Sequence, residues 1–169
     1  MLSDKMQKAL NEQVNAELFS AYLYLSMCAH FQSQGLPGFA NWMRVQTQEE
    51  MMHGMKIYDF IHERGGKVAL EAIAQPETKW ASPKDVFAAT LEHERKVTSL
   101  INELVDLAVK QKDHATQIFL QWFVTEQVEE ESSASAILDR LRLIGKDAST
   151  LFMLDQELAQ RVFTPPAAV

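Results

Sequence analysis

The chain has 169 residues, 47% of them hydrophobic, with only 6 Gly and 5 Pro, a balance that suits one mostly helical domain able to bury a continuous core. A net charge of -7 and a pI near 5.2 argue against nucleic acid or an anionic membrane as partner and favour cations. There is no basic start followed by an apolar run, no apolar stretch of membrane-spanning length, and one cysteine, Cys28, so the sequence reads as a soluble cytoplasmic protein without an internal disulfide.

The first helix opens at Ser3 and Asp4 and ends at Gly35-Leu36-Pro37-Gly38. Its core-spaced positions are Met6, Leu10, Val14 (or Gln13), Glu17, Ala21, Tyr24, Cys28 and Phe31, steps of three and four that keep one face. The second runs to about Gly65-Gly66 with the stripe Phe39, Met43, Gln46, Glu50, His53, Ile57 and Phe60. From Lys67 to Ala81 no helical period is found. Ser82-Pro83-Lys84-Asp85 then supplies a cap, a first-position proline and a first-turn acid.

The third helix reads Phe87, Leu91, Glu94, Thr98, Ile101, Val105 and Ala108 on one face. After a short break at Gln111 and Lys112, Asp113 caps a fourth that reads Phe123, Gln127, Glu130, Ala134, Ile137, Leu141 and Ile144 and stops at Gly145. Asp147 or Ser149 opens a shorter fifth helix to about Arg161, and Thr164-Pro165-Pro166 closes the ordered part. Phe119, Trp122 and Phe123 read as packing, and Cys28 as a buried inert thiol.

Each of the four long stripes has a polar exception near mid-height: Glu17; Glu50 with His53; Glu94; Gln127 with Glu130. Taken singly, such a Glu is an edge residue with a solvated head, His53 a hydrogen-bonded core histidine, and Tyr24 a packed ring with its hydroxyl tied. Recurrence on four helices changes the reading. Several buried carboxylates repel one another, and no Lys or Arg stands on the core positions nearby to balance them. A multivalent cation does so, and carboxylates with one imidazole suit two carboxylate-bridged irons.

Connection lengths set the topology. Short links make the first two helices antiparallel neighbours, and likewise the last two long ones, whereas a link of about fifteen residues extends ~50 Å and crosses a ~40 Å helix. An all-α four-helix bundle, about residues 3–145, with one long crossover and a fifth helix at about 147–161, is the ferritin-like arrangement and makes residues 1–169 a single domain.

Over nearly its whole length the chain resembles prokaryotic non-haem ferritin. The resemblance rests on Asn15-Ala16-Glu17-Leu18-Phe19-Ser20-Ala21-Tyr22-Leu23-Tyr24, Gln48-Glu49-Glu50-Met51-Met52-His53, Glu92-His93-Glu94 and Phe123-Val124-Thr125-Glu126-Gln127-Val128-Glu129-Glu130-Glu131. It implies a hollow homo-oligomeric shell of 24 subunits that oxidises Fe(II) with dioxygen or peroxide and keeps the product as a hydrated ferric mineral. By that resemblance Glu17, Glu50 and His53 hold the first iron, Glu50 bridges, Glu94 and Glu130 hold the second, and Gln127 lies on the dioxygen side. Tyr24 stands beside the pair and supplies an electron or a hydrogen bond. Glu49, Glu126 and Glu129, with Glu130, correspond to a third iron site nearer the cavity. Glu126, Glu129 and Glu130 share a helix face, which without the resemblance also fits a solvated acidic surface.

Other relatives make different demands. Bacterioferritin carries a second Glu-x-x-His where this chain has Gln127-x-x-Glu130, and its haem methionine corresponds to Met51; no haem is expected here, since methionine is also a common gap filler. A rubrerythrin needs a Cys-x-x-Cys module that one cysteine cannot supply. An unreactive shell subunit would not need the inward ligands, and an oxygenase would need room for an organic substrate beside them.

Overall fold

The computed structural model describes residues 1–165, which form five helices and no strand: α1 (Asp4–Ser33), α2 (Pro37–Glu63), α3 (Pro83–Gln111), α4 (His114–Ile144) and α5 (Ala148–Leu158). The expected starts are built as the sequence implies. Ser3 accepts from the Met6 amide, Ser82 from Asp85, Asp113 from Thr116, and Asp147 from Ser149 and Thr150, each meeting a helix-end N–H that has no partner inside the helix. At the other ends Gly35 and Gly65 take φ of 71°, which suits a residue without Cβ.

α1 and α2 form one hairpin and α3 and α4 the other. The crossover between them lies along α1. Near its start the Gln7 side chain accepts from the Lys67 amide, and Asn11 bonds the Lys67 carbonyl and the Ala69 amide. Further on, Ser26 donates to the Glu77 carbonyl, and Trp80 meets the edge of His30 with centroids 5.3 Å apart. The link therefore climbs the height of the bundle and starts α3 at the far end, and α3 runs back so that its C-terminal Gln111 lies beside Ser3 at the near end. α1 and α4 run one way and α2 and α3 the other.

The bundle interior is two apolar clusters rather than one. The first includes Tyr24, Met27, Phe31, Phe39, Met43, Phe87, Leu138, Leu154 and Leu158. The second includes Met6, Leu10, Val14, Ile57, Ile61, Ile101, Leu120 and Phe123. Burying each such side chain contributes roughly 1.5–3 kcal/mol, so both halves are well anchored. Between them lie the polar residues that interrupt the four stripes.

Two expectations shift. On α3 the buried positions are Val97 and Leu104, while Thr98 and Val105 are half-buried; a stripe of 3.6-residue period is wide enough to rotate to the adjacent row. α5 ends at Leu158 rather than near Arg161, because Asn41 Nδ2 takes the carbonyls of Leu158, Ala159 and Arg161 and draws the chain onto α2. Along α5, Leu154 and Leu158 are buried against the first cluster, Leu151 is half-buried, and Phe152 is exposed, as is Val162 beyond its end. Thr164 and Pro165 follow in irregular chain; Pro166 lies outside the described residues. No described helix is long and apolar enough to cross a membrane.

Candidate metal centre

Glu17 from α1, Glu50 and His53 from α2, Glu94 from α3, and Gln127 and Glu130 from α4 are all buried, none more than 5% exposed. Glu50 and His53 are one turn apart, as are Gln127 and Glu130, so each pair projects from one face of its helix. The layer they form is where the two apolar clusters part.

Two groups of donor atoms lie within 4.8 Å of one another: Glu17, Glu50 and His53, and His53, Glu126 and Glu130. His53 links them. Its Nδ1 is 3.4 Å from Glu50 Oε2 and its Nε2 is 3.8 Å from Glu126 Oε1. Oxygen and nitrogen ligands about 2.1 Å from a small hard cation are separated by roughly 3–4 Å, so modest side-chain rotation brings either group onto one ion. Glu94 stands outside both groups. It accepts from the Tyr24 hydroxyl at Oε1 and from Gln127 Nε2 at Oε2, the latter at 3.1 Å.

The amide of Gln127 thus turns its nitrogen to Glu94, also reaching the Glu94 carbonyl at 3.2 Å. Gln127 borders a cleft of about 360 Å³ between α3 and α4 that Thr98, Ile101, Val124 and Glu131 also line, so solvent approaches the centre from that side. Glu126 is half-buried and Glu129 exposed on the same helix, and Glu49 is half-buried on α2. Met51 is exposed and takes no part in the buried layer.

Electrostatics set the demand for a cation. Burial, reinforced by the Glu50 charge, raises the Glu17 carboxyl to about 8. Burial likewise raises Glu50, Glu94 and Glu49, and lifts Glu130 well above the carboxylate range, with Glu50, Glu94 and Glu49 adding repulsion. Burial alone would push the His53 imidazole down, but Glu50, Glu126 and Glu17 hold its proton well above the usual histidine range. Tyr24 is raised by burial and by Glu94 and Glu50, so its hydroxyl stays protonated and donates.

Among the buried polar atoms without a hydrogen-bond partner are Glu17 Oε2 and His53 Nε2. Natural interiors rarely leave such atoms unsatisfied, and these two belong to the groups within ligand reach. Hard oxygen donors with one imidazole and no thiolate fit iron in either oxidation state.

Several participants carry no periodic signal of their chemistry. Gln13 stands on the core stripe and donates to Glu17 Oε1 at 2.8 Å. Gln46, also on its stripe, donates to Glu130 Oε2 at 2.6 Å. Arg161, beyond α5, donates to Gln46 Oε1 at 2.8 Å and to Glu49 Oε2 at 2.6 Å, a cation delivered from outside the four stripes. Ser20 Oγ is 2.8 Å from His93 Nε2, and the His93 ring meets Tyr24 edge-on with centroids 5.9 Å apart. Burial, aided by Lys96, holds His93 down to about 4, so the ring is neutral at pH 7. The packing residues Trp122 and Phe123 do pack, both against His53, at centroid distances of 5.3 and 6.0 Å.

Comparison with known proteins agrees with this geometry. Residues 7–144 match the ferritin-like domain family. The chain is 47% identical over 161 residues to a bacterial non-heme ferritin of Bacteroides fragilis, covering 95% of this chain and all of that protein. It is 44% identical over 163 residues to one of Staphylococcus epidermidis, covering 96% and 98%. Among solved structures it superposes on an Archaeoglobus fulgidus ferritin engineered into a closed form with a TM-score of 0.96 at 57% identity, covering 97% of this chain and all of the other. The open-pore ferritin of the same archaeon gives 0.95 at 56%, covering 96% and all. Family pattern, relatives of nearly equal length and shared backbone all agree that the chain belongs to the ferritin family, with its all-α four-helix bundle and short fifth helix.

Proposed function

We propose that this protein stores iron and is a ferroxidase, oxidising Fe(II) within each subunit and holding the ferric product as a hydrated oxide inside a shell of identical subunits. The observation that carries the reading is the buried carboxylate layer whose two groups of donor atoms share His53. Glu17, Glu50 and His53 take the first Fe(II), Glu50 lies between the two ions, and Glu94 with Glu130 takes the second. Glu49, Glu126 and Glu129 with Glu130 form a third site through which iron leaves toward the mineral. Residues 1–169 act as one domain in a 24-subunit cytoplasmic assembly without haem.

Iron is the substrate here. Two Fe(II) each yield one electron to dioxygen, which with two protons becomes hydrogen peroxide. The side chains prepare that step. Glu17 and His53 hold protons that the incoming cation displaces, leaving charged and lone-pair donors where they are needed. Gln13 and Gln46 each donate to one oxygen of a ligand carboxylate, Glu17 and Glu130, while Tyr24 and Gln127 hold the two oxygens of Glu94, so each carboxylate is oriented. The Phe123 and Trp122 rings pack edge-on against the His53 ring.

The test is aerobic addition of Fe(II) in small increments to the metal-free protein, followed by absorbance, beside a Glu50→Ala, His53→Ala double variant. Rapid oxidation saturating near two or three irons per subunit, lost in the variant and followed by a large soluble iron load, is the expected result. Iron binding without oxidation or accumulation would require withdrawal of the reading.

A further inference from the structure

Arg161 leaves the end of α5 and reaches back to α2. Its guanidinium lies over the Trp42 ring, 4.4 Å from the centroid, and donates to the Trp42 carbonyl at 3.3 Å. The same group donates to Gln46 Oε1 at 2.8 Å and to Glu49 Oε2 at 2.6 Å. Neither partner of the ion pair is freely solvated, the side chains being 23% and 18% exposed. The backbone is fixed too, because Asn41 Nδ2 donates to the carbonyls of Leu158, Ala159 and Arg161.

A guanidinium is charged at every working pH and can only donate, so it cannot yield its place by losing a proton. It also fixes the Gln46 amide: with Oε1 taken by Arg161, Nε2 must point to Glu130. Glu49 meanwhile feels the charges of Glu126 and Glu129 from α4. The chain has therefore placed one of its own cations on the carboxylate that would complete a metal site with these two. A metal ion taking Glu49 meets both a competitor for the oxygen and a positive charge beside it.

We propose that Arg161 is a displaceable counter-cation of Glu49: it restrains metal occupancy at the third site, and a metal ion that gains Glu49 releases residues 159–165 from α2. The proposal rests on the reading of Glu49, Glu126, Glu129 and Glu130 as a third site. Arg161 touches no metal in this scheme and acts through the ligand it holds.

The experiment uses Zn(II), which cannot be oxidised, in calorimetric titration of the whole assembled protein, wild type beside Arg161→Gln, Arg161→Lys and Glu49→Gln. Glutamine keeps a donor for Gln46 but removes the charge. The weakest Zn(II) binding event is expected to tighten about ten-fold in Arg161→Gln, the scale of one lost hydrogen-bonded ion pair, to change less in Arg161→Lys, and to vanish in Glu49→Gln. In the wild type, amide exchange over residues 159–165 should quicken on Zn(II) loading, and in Glu49→Gln it should not. If the weak event is lost in Glu49→Gln but is unchanged or weaker in Arg161→Gln, or if wild-type exchange is unaffected by loading, Arg161 does not compete and the proposal falls alone. If the weak event survives Glu49→Gln, the third-site reading falls with it.

Discussion

The hydroxyl of Tyr24 on α1 donates to Oε1 of Glu94 on α3, with both side chains almost wholly buried. The bond ties the two antiparallel hairpins together at the height of the carboxylate layer and fixes one oxygen of Glu94, while Gln127 fixes the other. Tyr24→Phe keeps the ring and its edge contact with His93 but leaves a buried acceptor one donor short. A loss of about 1–2 kcal/mol in chemical denaturation of the metal-free protein is expected, with slower initial Fe(II) oxidation in stopped flow. An unchanged oxidation rate would remove Tyr24 from the working parts.

Glu17→Gln separates storage chemistry from folding. With its carboxyl raised to about 8, Glu17 is mostly protonated at pH 7 in the metal-free protein, and a glutamine can still accept from Gln13. The metal-free variant should denature within about 1 kcal/mol of the wild type, or above it, because the substitution exchanges a mostly neutral buried carboxyl for a neutral amide of the same shape. Its thermal midpoint should no longer rise on adding Zn(II). A large stability loss without metal would mean that Glu17 is held by something other than a cation.

Stability of the metal-free protein should fall as pH rises from 6.8 to 8. Glu17 has a folded pKa above its unfolded one, so unfolding releases a proton and the folded state is penalised increasingly from about 4.5 up to about 8. Raised His53 has the same sign, its contribution being present below the unfolded value near 6.5 and lost as pH rises toward the folded one. His93 runs oppositely, since a lowered imidazole loses stability as pH falls from 6.5 toward about 4, but above 6.5 it is neutral in both states and contributes nothing. Urea midpoints across the window measure the trend, which saturating Zn(II) should abolish. A flat or rising profile would show that the carboxylate layer titrates normally.

Gly38 is where α5 seals onto α2. The amides of Gly38 and Phe39 donate to Asp155 Oδ1 at 2.8 and 3.0 Å, so the start of α2, which has no cap of its own at Leu36, borrows one from α5. A Cβ at Gly38 would overlap the Asp155 carbonyl oxygen. Gly38→Ala should therefore detach α5, seen as protease cleavage between residues 145 and 165, and Asp155→Ala should do so more mildly at a cost of about 1–2 kcal/mol. Resistance to protease in Gly38→Ala would mean that α5 is held elsewhere.

Gln127→Glu replaces the donor to Glu94 with a carboxylate facing it. The added charge should hold ferric iron longer, so repeated Fe(II) additions are expected to be oxidised progressively more slowly than in the wild type. Faster turnover in multiple additions would contradict that assignment.

Much of this was legible before the fold. Ser3, Ser82, Asp113 and Asp147 all cap as their sequence positions imply, because a short polar side chain ahead of an apolar period has few other uses. Glu17, Glu50, His53, Glu94, Gln127 and Glu130 are buried because period alone puts them on the inner face. What period cannot carry is partnership across the bundle. Gln46 and Gln13 look like polar exceptions without a task until Glu130 and Glu17 stand beside them, and Arg161 lies outside every stripe. Where α5 stops is a matter of Asn41, more than a hundred residues away in sequence, taking carbonyls that would otherwise extend the helix.

α2 is clamped at both ends by residues that are not its sequence neighbours. At one end Asp155 holds its first amides, and at the other Arg64 donates to Asp113 and Thr116 at the start of α4. The helix that carries Glu49, Glu50 and His53 is thereby a beam fixed at two supports, free neither to slide nor to splay. On the function proposed above, ions would be handed on by swinging carboxylates, one rotamer at a time, while the frame around them stays still.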